Sequence, residues 1–93
     1  MKKVTIIVPC YNEQESLPYF YQETVSVLQK INYDYEFLFV NDGSKDGTLP
    51  ILRELAAQDE HITYLSFSRN FGKEAAMYAG FEHANGEYVV TMD

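Results

Sequence analysis

Val4-Thr5-Ile6-Ile7-Val8-Pro9 opens the chain after Met1-Lys2-Lys3. A basic start followed by apolar residues has the outline of a secretion signal. Five residues are too few for its apolar region, and Pro9 and polar residues follow at once. The run therefore reads as a first strand. Three similar runs lie downstream: Tyr35–Val40, Ile62–Phe67 and Tyr88–Met92. All are short, rich in β-branched and aromatic residues and bounded by turn formers, the pattern of buried strands.

Helical spacing fills the gaps. From about Glu13 to Ile31, Leu17, Tyr21, Thr24, Leu28 and Ile31 recur at steps of three or four. Asn12 with Glu15, or Ser16, can cap the start, and Pro18 is tolerable only in the first turn. A second helix is expected from Asp46 to Gln58, capped by Ser44 or Asp46, with Leu49, Leu52, Leu55 and Ala56 inward. A third is expected from Gly72 to Ala84 with a small inner face of Ala75, Ala76, Ala79 and Gly80. Asn85-Gly86 supplies a left-handed stop. The order β-α-β-α-β-α-β favours right-handed crossovers. It predicts an α/β fold: an open, mainly parallel, Rossmann-like sheet with helices on both faces, in three layers.

The whole chain has 93 residues, with 7 Lys and Arg against 14 Asp and Glu, a net charge of −7 and a pI near 4.6. Hydrophobic residues make up 46%, a globular composition, and the length allows one domain with a modest core. The acidic balance argues against nucleic acid as a partner, and against a polybasic membrane anchor. No run approaches the ~18 apolar residues of a membrane span. Cys10 is the only cysteine, which excludes an internal disulfide and a cysteine zinc site and fits a cytoplasmic location. Residues 1–93 form a single, partial domain on this reading: no fourth helix follows the last strand. That suggests the N-terminal portion of a longer protein, with Met1 as its start.

In an open parallel sheet, ligands bind beyond the carboxyl ends of the strands. Four segments fall there: Pro9-Cys10-Tyr11-Asn12-Glu13, Asn41-Asp42-Gly43-Ser44, Ser68-Arg69-Asn70-Phe71-Gly72-Lys73, and Asp93. The first has no glycine, so it is neither a dinucleotide turn nor a Walker loop. Pro9 and Tyr11 offer instead an aromatic face to a flat heterocycle, or are simply a strand exit. Asp42 reads as an Asx turn or helix cap, served by it or by Ser44, or as a carboxylate accepting from a base or ribose. Arg69 and Lys73 sit at a helix start whose dipole favours anions, which suggests a phosphate contact over ordinary surface charge. A strand order of 3-2-1-4 would hold Asp42 and Asp93 ~10 Å apart across the first loop, a gap suited to a nucleoside with its phosphates. His61 and His83 have no metal or triad partner nearby in sequence, and Cys10 reads as a buried small residue.

Val4–Glu13 resembles the V-x-I-I-x-P-x-Y-N-E opening of inverting family 2 glycosyltransferases of GT-A fold. Val40–Thr48 resembles their V-x-D-x-S-x-D-G-T signature. Ser68–Lys73 is similar to the S-R-N-F-G-K segment of polyprenyl-phosphate sugar transferases, the subgroup of dolichol-phosphate mannose synthases and bactoprenol glucosyltransferases. Gly86–Asp93 looks like the strand leading into their D-x-D motif. The resemblance implies that Pro9, Tyr11 and Glu13 line the base and ribose site, with Ser44 beside them, and that Asp42 bonds the base. Lys73 and Arg69 would lie toward the diphosphate, and Asp93 would touch the ribose and a divalent cation, Mg²⁺ or Mn²⁺. It further implies an enzyme that transfers a hexose from a nucleotide-sugar donor, UDP-glucose on the look of Arg69 to Lys73, to a polyprenyl phosphate at the cytoplasmic face of the membrane. The second Asp of D-x-D, the catalytic base, the acceptor half and any membrane helix fall outside the 93 residues. The expectation is therefore nucleotide binding without turnover, and an open β-edge that invites self-association. Two other classes compete. A receiver-type signalling module would make Asp42 a phospho-acceptor, but lacks the usual acidic pair after the first strand. A nucleotidyltransferase would have a glycine-rich, basic first loop.

Overall fold

A computed structural model describes residues 3–30 and 34–92. Along the chain run β1 (Lys3–Cys10), α1 (Leu17–Leu28), β2 (Asp34–Asn41), α2 (Thr48–Gln58), β3 (Ile62–Ser66), α3 (Lys73–His83) and β4 (Tyr88–Thr91). The four strands form one parallel sheet in the order β3-β2-β1-β4. The predicted class, element order and strand order are all present.

Alternation along the two central strands builds two cores. Ile6, Val8 and Cys10 of β1 with Tyr35, Phe37 and Phe39 of β2 face Leu17 of α1 and Leu52 of α2. Ile7, Leu38 and Val40 face the other way, onto Ala76 of α3. The sheet is thus sandwiched, with α1 and α2 on one face and α3 on the other. Phe37 and Phe39 are fully buried, and each such side chain is worth about 1.5–3 kcal/mol of burial. The small face of α3 has a steric reason: a Cβ on Gly80 would lie 2.6 Å from Ile7 Cγ2.

Several expected boundaries shift. The first strand runs on through Pro9 to Cys10. Ile7 turns its carbonyl to β4, accepting from Met92 N–H. Pro9, two residues on, faces the same side past the end of β4, so its missing N–H breaks no ladder bond. α1 begins at Leu17, not Glu13, and neither Asn12 nor Ser16 caps it by its side chain. Ser16 Oγ donates to Glu13 Oε2 instead (2.7 Å). Phe20 and Val25 join its expected stripe, whereas Ile31 lies outside the described residues. α2 starts at Thr48, with Asp46 Oδ1 accepting Thr48 N–H. Ala75 of α3 is exposed, so Ala76 and Gly80 carry its contact. α3 stops at Ala84 in an extended conformation (ψ 134°), and neither Asn85 nor Gly86 has positive φ.

Candidate functional site

The carboxyl ends of β1 and β2 are laced together. Asn12 takes a left-handed conformation (φ 53°), which Asn tolerates better than most residues. Its N–H donates to Ser44 Oγ (2.9 Å), and its Oδ1 accepts Lys45 N–H (2.9 Å). Glu13 N–H donates to Thr48 Oγ1 (2.9 Å), Gln14 N–H to Asp46 Oδ2 (3.2 Å), and Gly47 N–H to Gln14 Oε1 (2.8 Å). The loop after β1 is thereby tied across to the loop after β2, and its Glu13 carbonyl accepts Leu17 N–H (2.9 Å) in the turn that leads into α1. Its polar groups are spent on the loop after β2, which leaves Tyr11 at the rim, 45% exposed.

Asp42 ties in the third loop. Its Oδ1 accepts Phe71 N–H (2.7 Å), and its Oδ2 accepts Gly72 N–H (2.9 Å) and Asn70 Nδ2 (3.0 Å). Asn70 Nδ2 also reaches the Asp42 carbonyl (3.1 Å). Asp42 thus forms neither an Asx turn nor a cap of α2; the turn bond comes from Asn41, whose Oδ1 accepts Ser44 N–H (3.2 Å). The finding also bears on the expected phosphate contact of Arg69 and Lys73 at the start of α3. The N–H groups just ahead of that helix already face an anion, the Asp42 carboxylate. Gly43 makes the closeness possible: at φ +69°, a Cβ there would lie 2.2 Å from the Arg69 carbonyl carbon.

Between these loops lies a cavity of about 420 Å³, of ligand-pocket size. It is lined by Pro9, Cys10, Tyr11, Glu13, Asp42, Asn70, Gly72 and Lys73. Five of the eight candidate residues, Pro9, Tyr11, Glu13, Asp42 and Lys73, therefore meet on one cavity. Ser44 is not in its lining and serves the loop ties. Arg69 is not either; its guanidinium sits over the Phe71 ring, 4.7 Å from the centroid. Asp93 lies outside the described residues. Cys10, Asn70 and Gly72 were not singled out as site residues. Asn70 was legible from its place, since it sits in the loop after β3 beside Arg69.

Burial, and then the charge of Glu13, push the Cys10 thiol up to about 12, so it is no thiolate nucleophile at neutral pH. Lys73 is the single cationic side chain among the described lining residues, against the carboxylates of Glu13 and Asp42. A diphosphate here needs positive charge beyond what Lys73 supplies. Among the described residues, no group of three His, Cys, Asp or Glu is placed to hold a metal ion. His61 does have a partner that its sequence neighbourhood did not suggest. Its Nδ1 lies 2.8 Å from Asp59 Oδ1, and its ring stacks on Tyr35. This cluster is at the amino-terminal end of β3, away from the cavity. No helix among the described residues is long and apolar enough to cross a membrane.

Comparison with known proteins agrees with this architecture. The chain is 47% identical over 92 residues to the bactoprenol glucosyl transferase of Shigella phage SfV, covering 98% of this chain and 30% of that protein. It is 49% identical over 90 residues to CsbB of Bacillus subtilis (strain 168), covering 97% of this chain and 27% of that one. The chain thus spans under a third of the curated relatives it matches. Among solved structures, S. aureus TarS 1-349 in complex with UDP superposes with a TM-score of 0.77 at 25% identity, over 98% of this chain and 27% of that one. A mannosyltransferase from Pyrobaculum calidifontis, in complex with GDP-Man and Mn²⁺, superposes with a TM-score of 0.73 at 29% identity, over 95% and 26%. These neighbours have the GT-A fold. The family model of Glycosyl transferase family 2 matches residues 5–93, a span that takes in β1 from Thr5 onward, the other three strands and the loops around the cavity, and the chain belongs to that family.

Proposed function

We propose that the cavity binds the nucleotide of a UDP-glucose donor, as part of an enzyme that transfers the hexose to a polyprenyl phosphate with inversion. The observation that carries this is the convergence of Tyr11, Glu13, Asp42 and Lys73 on one cavity at the carboxyl edge of the sheet. Tyr11 and Pro9 offer the base and ribose an apolar wall, with Glu13 beside them. A carboxylate has about four lone-pair sites, and three are filled at Asp42. Oδ1, which accepts Phe71 N–H alone among the hydrogen bonds of the described residues given above, offers its other lone pair to a base N–H. The three N–H donors, one on Oδ1 and two on Oδ2, hold the carboxylate still, so little entropy remains to be lost on binding. Lys73 lies toward the diphosphate, and Arg69, stacked on Phe71, at the outer margin.

The negative lining suits a donor that arrives with a divalent cation. In this reading Asp93 and the donor's own phosphates hold Mg²⁺ or Mn²⁺. The ion supplies charge neutralisation for the departing diphosphate. The relatives named for bactoprenol support a polyprenyl phosphate acceptor, and with it a place at the cytoplasmic face of a membrane. The donor side alone is present in these 93 residues, so they bind without turnover and release no nucleoside diphosphate. A receiver-type role is disfavoured, because both oxygens of Asp42 are engaged and the residue is 3% exposed.

Calorimetric titration with UDP, GDP and CDP, each with and without Mn²⁺, tests the reading. UDP should bind best, and more tightly with Mn²⁺. No binding of any nucleoside diphosphate, or phosphorylation of Asp42 by a small phosphodonor, would overturn it.

A further inference from the structure

β4 is a short strand with no buried side chain. It has four residues, all exposed, with Tyr88 47%, Val89 38% and Val90 47% accessible. A strand without a buried face specifies its register weakly, and a slip of one residue turns every side chain to the opposite face. Yet the residue that follows Met92 is the carboxylate assigned above to ribose and cation. Its direction depends on the register of the strand. Met92 packs at the margin of the core and helps to seat the far end of the strand, but no side chain of β4 itself is buried.

A polar clamp at the start of the strand sets that register. Glu36 of β2 and Thr5 of β1 are side by side and buried, 7% and 0% exposed. Thr5 Oγ1 donates to Glu36 Oε1 (2.7 Å). Asn85 N–H donates to the same carboxylate oxygen (3.1 Å), Gly86 N–H to Thr5 Oγ1 (2.8 Å), and Glu87 N–H to Lys3 O (2.9 Å). Lys3 Nζ stands 3.7 Å from Glu36 Oε2. Three successive backbone donors ahead of β4 thus each have a fixed acceptor on β1 or β2. A Cβ on Gly86 would lie 2.6 Å from Thr5 Oγ1 and 2.9 Å from Lys3 O, so the approach needs glycine. A slipped β4 would leave these donors without their acceptors and take from Glu36 Oε1 one of its two hydrogen bonds, the Thr5 hydroxyl remaining, a penalty wherever the groups stay buried.

We propose that Thr5 and Glu36 are positioning residues: at the end of the sheet opposite the cavity, they set the register of β4 on β1 and thereby aim the carboxylate at position 93. The role in aiming rests on the proposed function; the role in register does not.

Two variants of the 93-residue chain separate these. Thr5→Val removes the shared hydroxyl at nearly constant volume. Asn85→Pro removes one donor without touching β1 or β2, and Ala84 (φ −68°, ψ 134°) already has the conformation that precedes proline. The first readout is cross-strand NOEs for Val4–Tyr88, Thr5–Val89 and Ile6–Val90, the wild-type pairs. The second is broadening of the Thr91 and Met92 amides by Mn²⁺ with UDP, relative to that at Tyr11. In both variants the β1–β2 NOEs should persist, the β1–β4 set should be lost or shifted, and the broadening ratio should fall severalfold. Thr5→Ser should restore both. Retention of the β1–β4 NOEs in both variants, or loss of β1–β2 pairing in both, would overturn the clamp. A wild-type chain whose Thr91 and Met92 signals ignore Mn²⁺ with UDP would overturn the ion assignment and the aiming role, while the NOEs still decide the register.

Discussion

Asp42 does two jobs with one side chain: it gathers the loop after β3 and presents an oxygen to the cavity. Asp42→Asn keeps the shape but puts an amide NH₂ against donors that need an acceptor, Phe71 N–H on one side or Gly72 N–H and Asn70 Nδ2 on the other. Losing a charged acceptor in a buried setting costs about 1.5–3 kcal/mol. The urea midpoint should fall accordingly at unchanged m-value, and UDP binding should weaken with it; a change within experimental error would show that the loop holds without Asp42. At the other end of β3, Tyr21 Oη donates to Asp59 Oδ2 (2.5 Å), while Asp59 Oδ1 accepts His61 N–H (2.9 Å). Burial pushes the Asp59 carboxyl up, but the hydrogen bonds from Tyr21 and His61 outweigh it and hold the carboxyl below its ordinary value. Burial, then the Asp59 bond, push Tyr21 up to about 12. A lowered Asp pKa stabilises the fold above the unfolded value of about 3.9 and is lost as pH falls through the folded value. A raised Tyr pKa gives stability that is whole below about pH 10 and is lost as pH rises through the folded value. Tyr21→Phe should therefore flatten the alkaline limb of stability between pH 10 and about 12, and Asp59→Asn should flatten the acid limb below about pH 4. Melting temperatures across pH report both; limbs that stay parallel to wild type would deny the cluster any role.

Two glycines at the loop after β2 and the start of α3 look alike by φ but differ in surroundings. Gly43 (φ +69°) faces the Arg69–Asn70 backbone at 2.2–2.3 Å, whereas Gly72 (φ +104°) has nothing within 4 Å of an added Cβ. Gly72→Ala should cost only the conformational penalty, about 1–3 kcal/mol for a positive-φ extended backbone that is almost exclusive to glycine. Gly43→Ala adds a clash with main chain that cannot turn aside, so it should be clearly worse and should also loosen the Asp42–Phe71 bond. Denaturant titration of the pair ranks them, and equal losses would mean that the loops yield more easily than their bonds suggest. The same contrast shows where the sequence was legible. Runs such as Phe37–Val40 announce strands because burial on both faces leaves no alternation. Element starts were not, because long-range bonds decide them. Glu13 through Ser16 carry helix-start chemistry and do form a turn, closed by Leu17 N–H on the Glu13 carbonyl, but the acceptors for the Glu13 and Gln14 amides are Thr48 and Asp46, more than thirty residues away. Asn85-Gly86 reads as a left-handed stop, yet glycine is there for close approach to Thr5. Likewise the placing of Asp42 beside the helix entry was readable, while its closure onto Phe71 and Gly72 needed the third loop in place.

Across the whole molecule, burial falls from the middle of the sheet toward β4, and the cavity lies at the carboxyl ends of the two buried strands. β1 and β2 pair over eight residues and bury both faces, whereas β4 pairs with β1 over four and buries neither. The walls of the cavity supplied by β1 and β2 are therefore built into the most stable part of the fold. β4, by contrast, is held at its start by polar bonds and at its end by Met92 on the margin of the core. Local openings in a protein span from near zero up to the global unfolding free energy. Amides of Ile6–Val8 and Phe37–Val40 should exchange with deuterium only by global unfolding. Those of Val89–Thr91 should exchange through a sub-global opening at least about 2 kcal/mol cheaper. UDP with Mn²⁺ should slow exchange at Phe71 and Gly72, by immobilising Asp42, and should narrow the gap between β4 and β1. Native-state exchange across a denaturant series measures each opening separately. If β4 proved as protected as β2 in the free chain, the sheet would open as one unit, and the nucleotide would find its site complete before it bound.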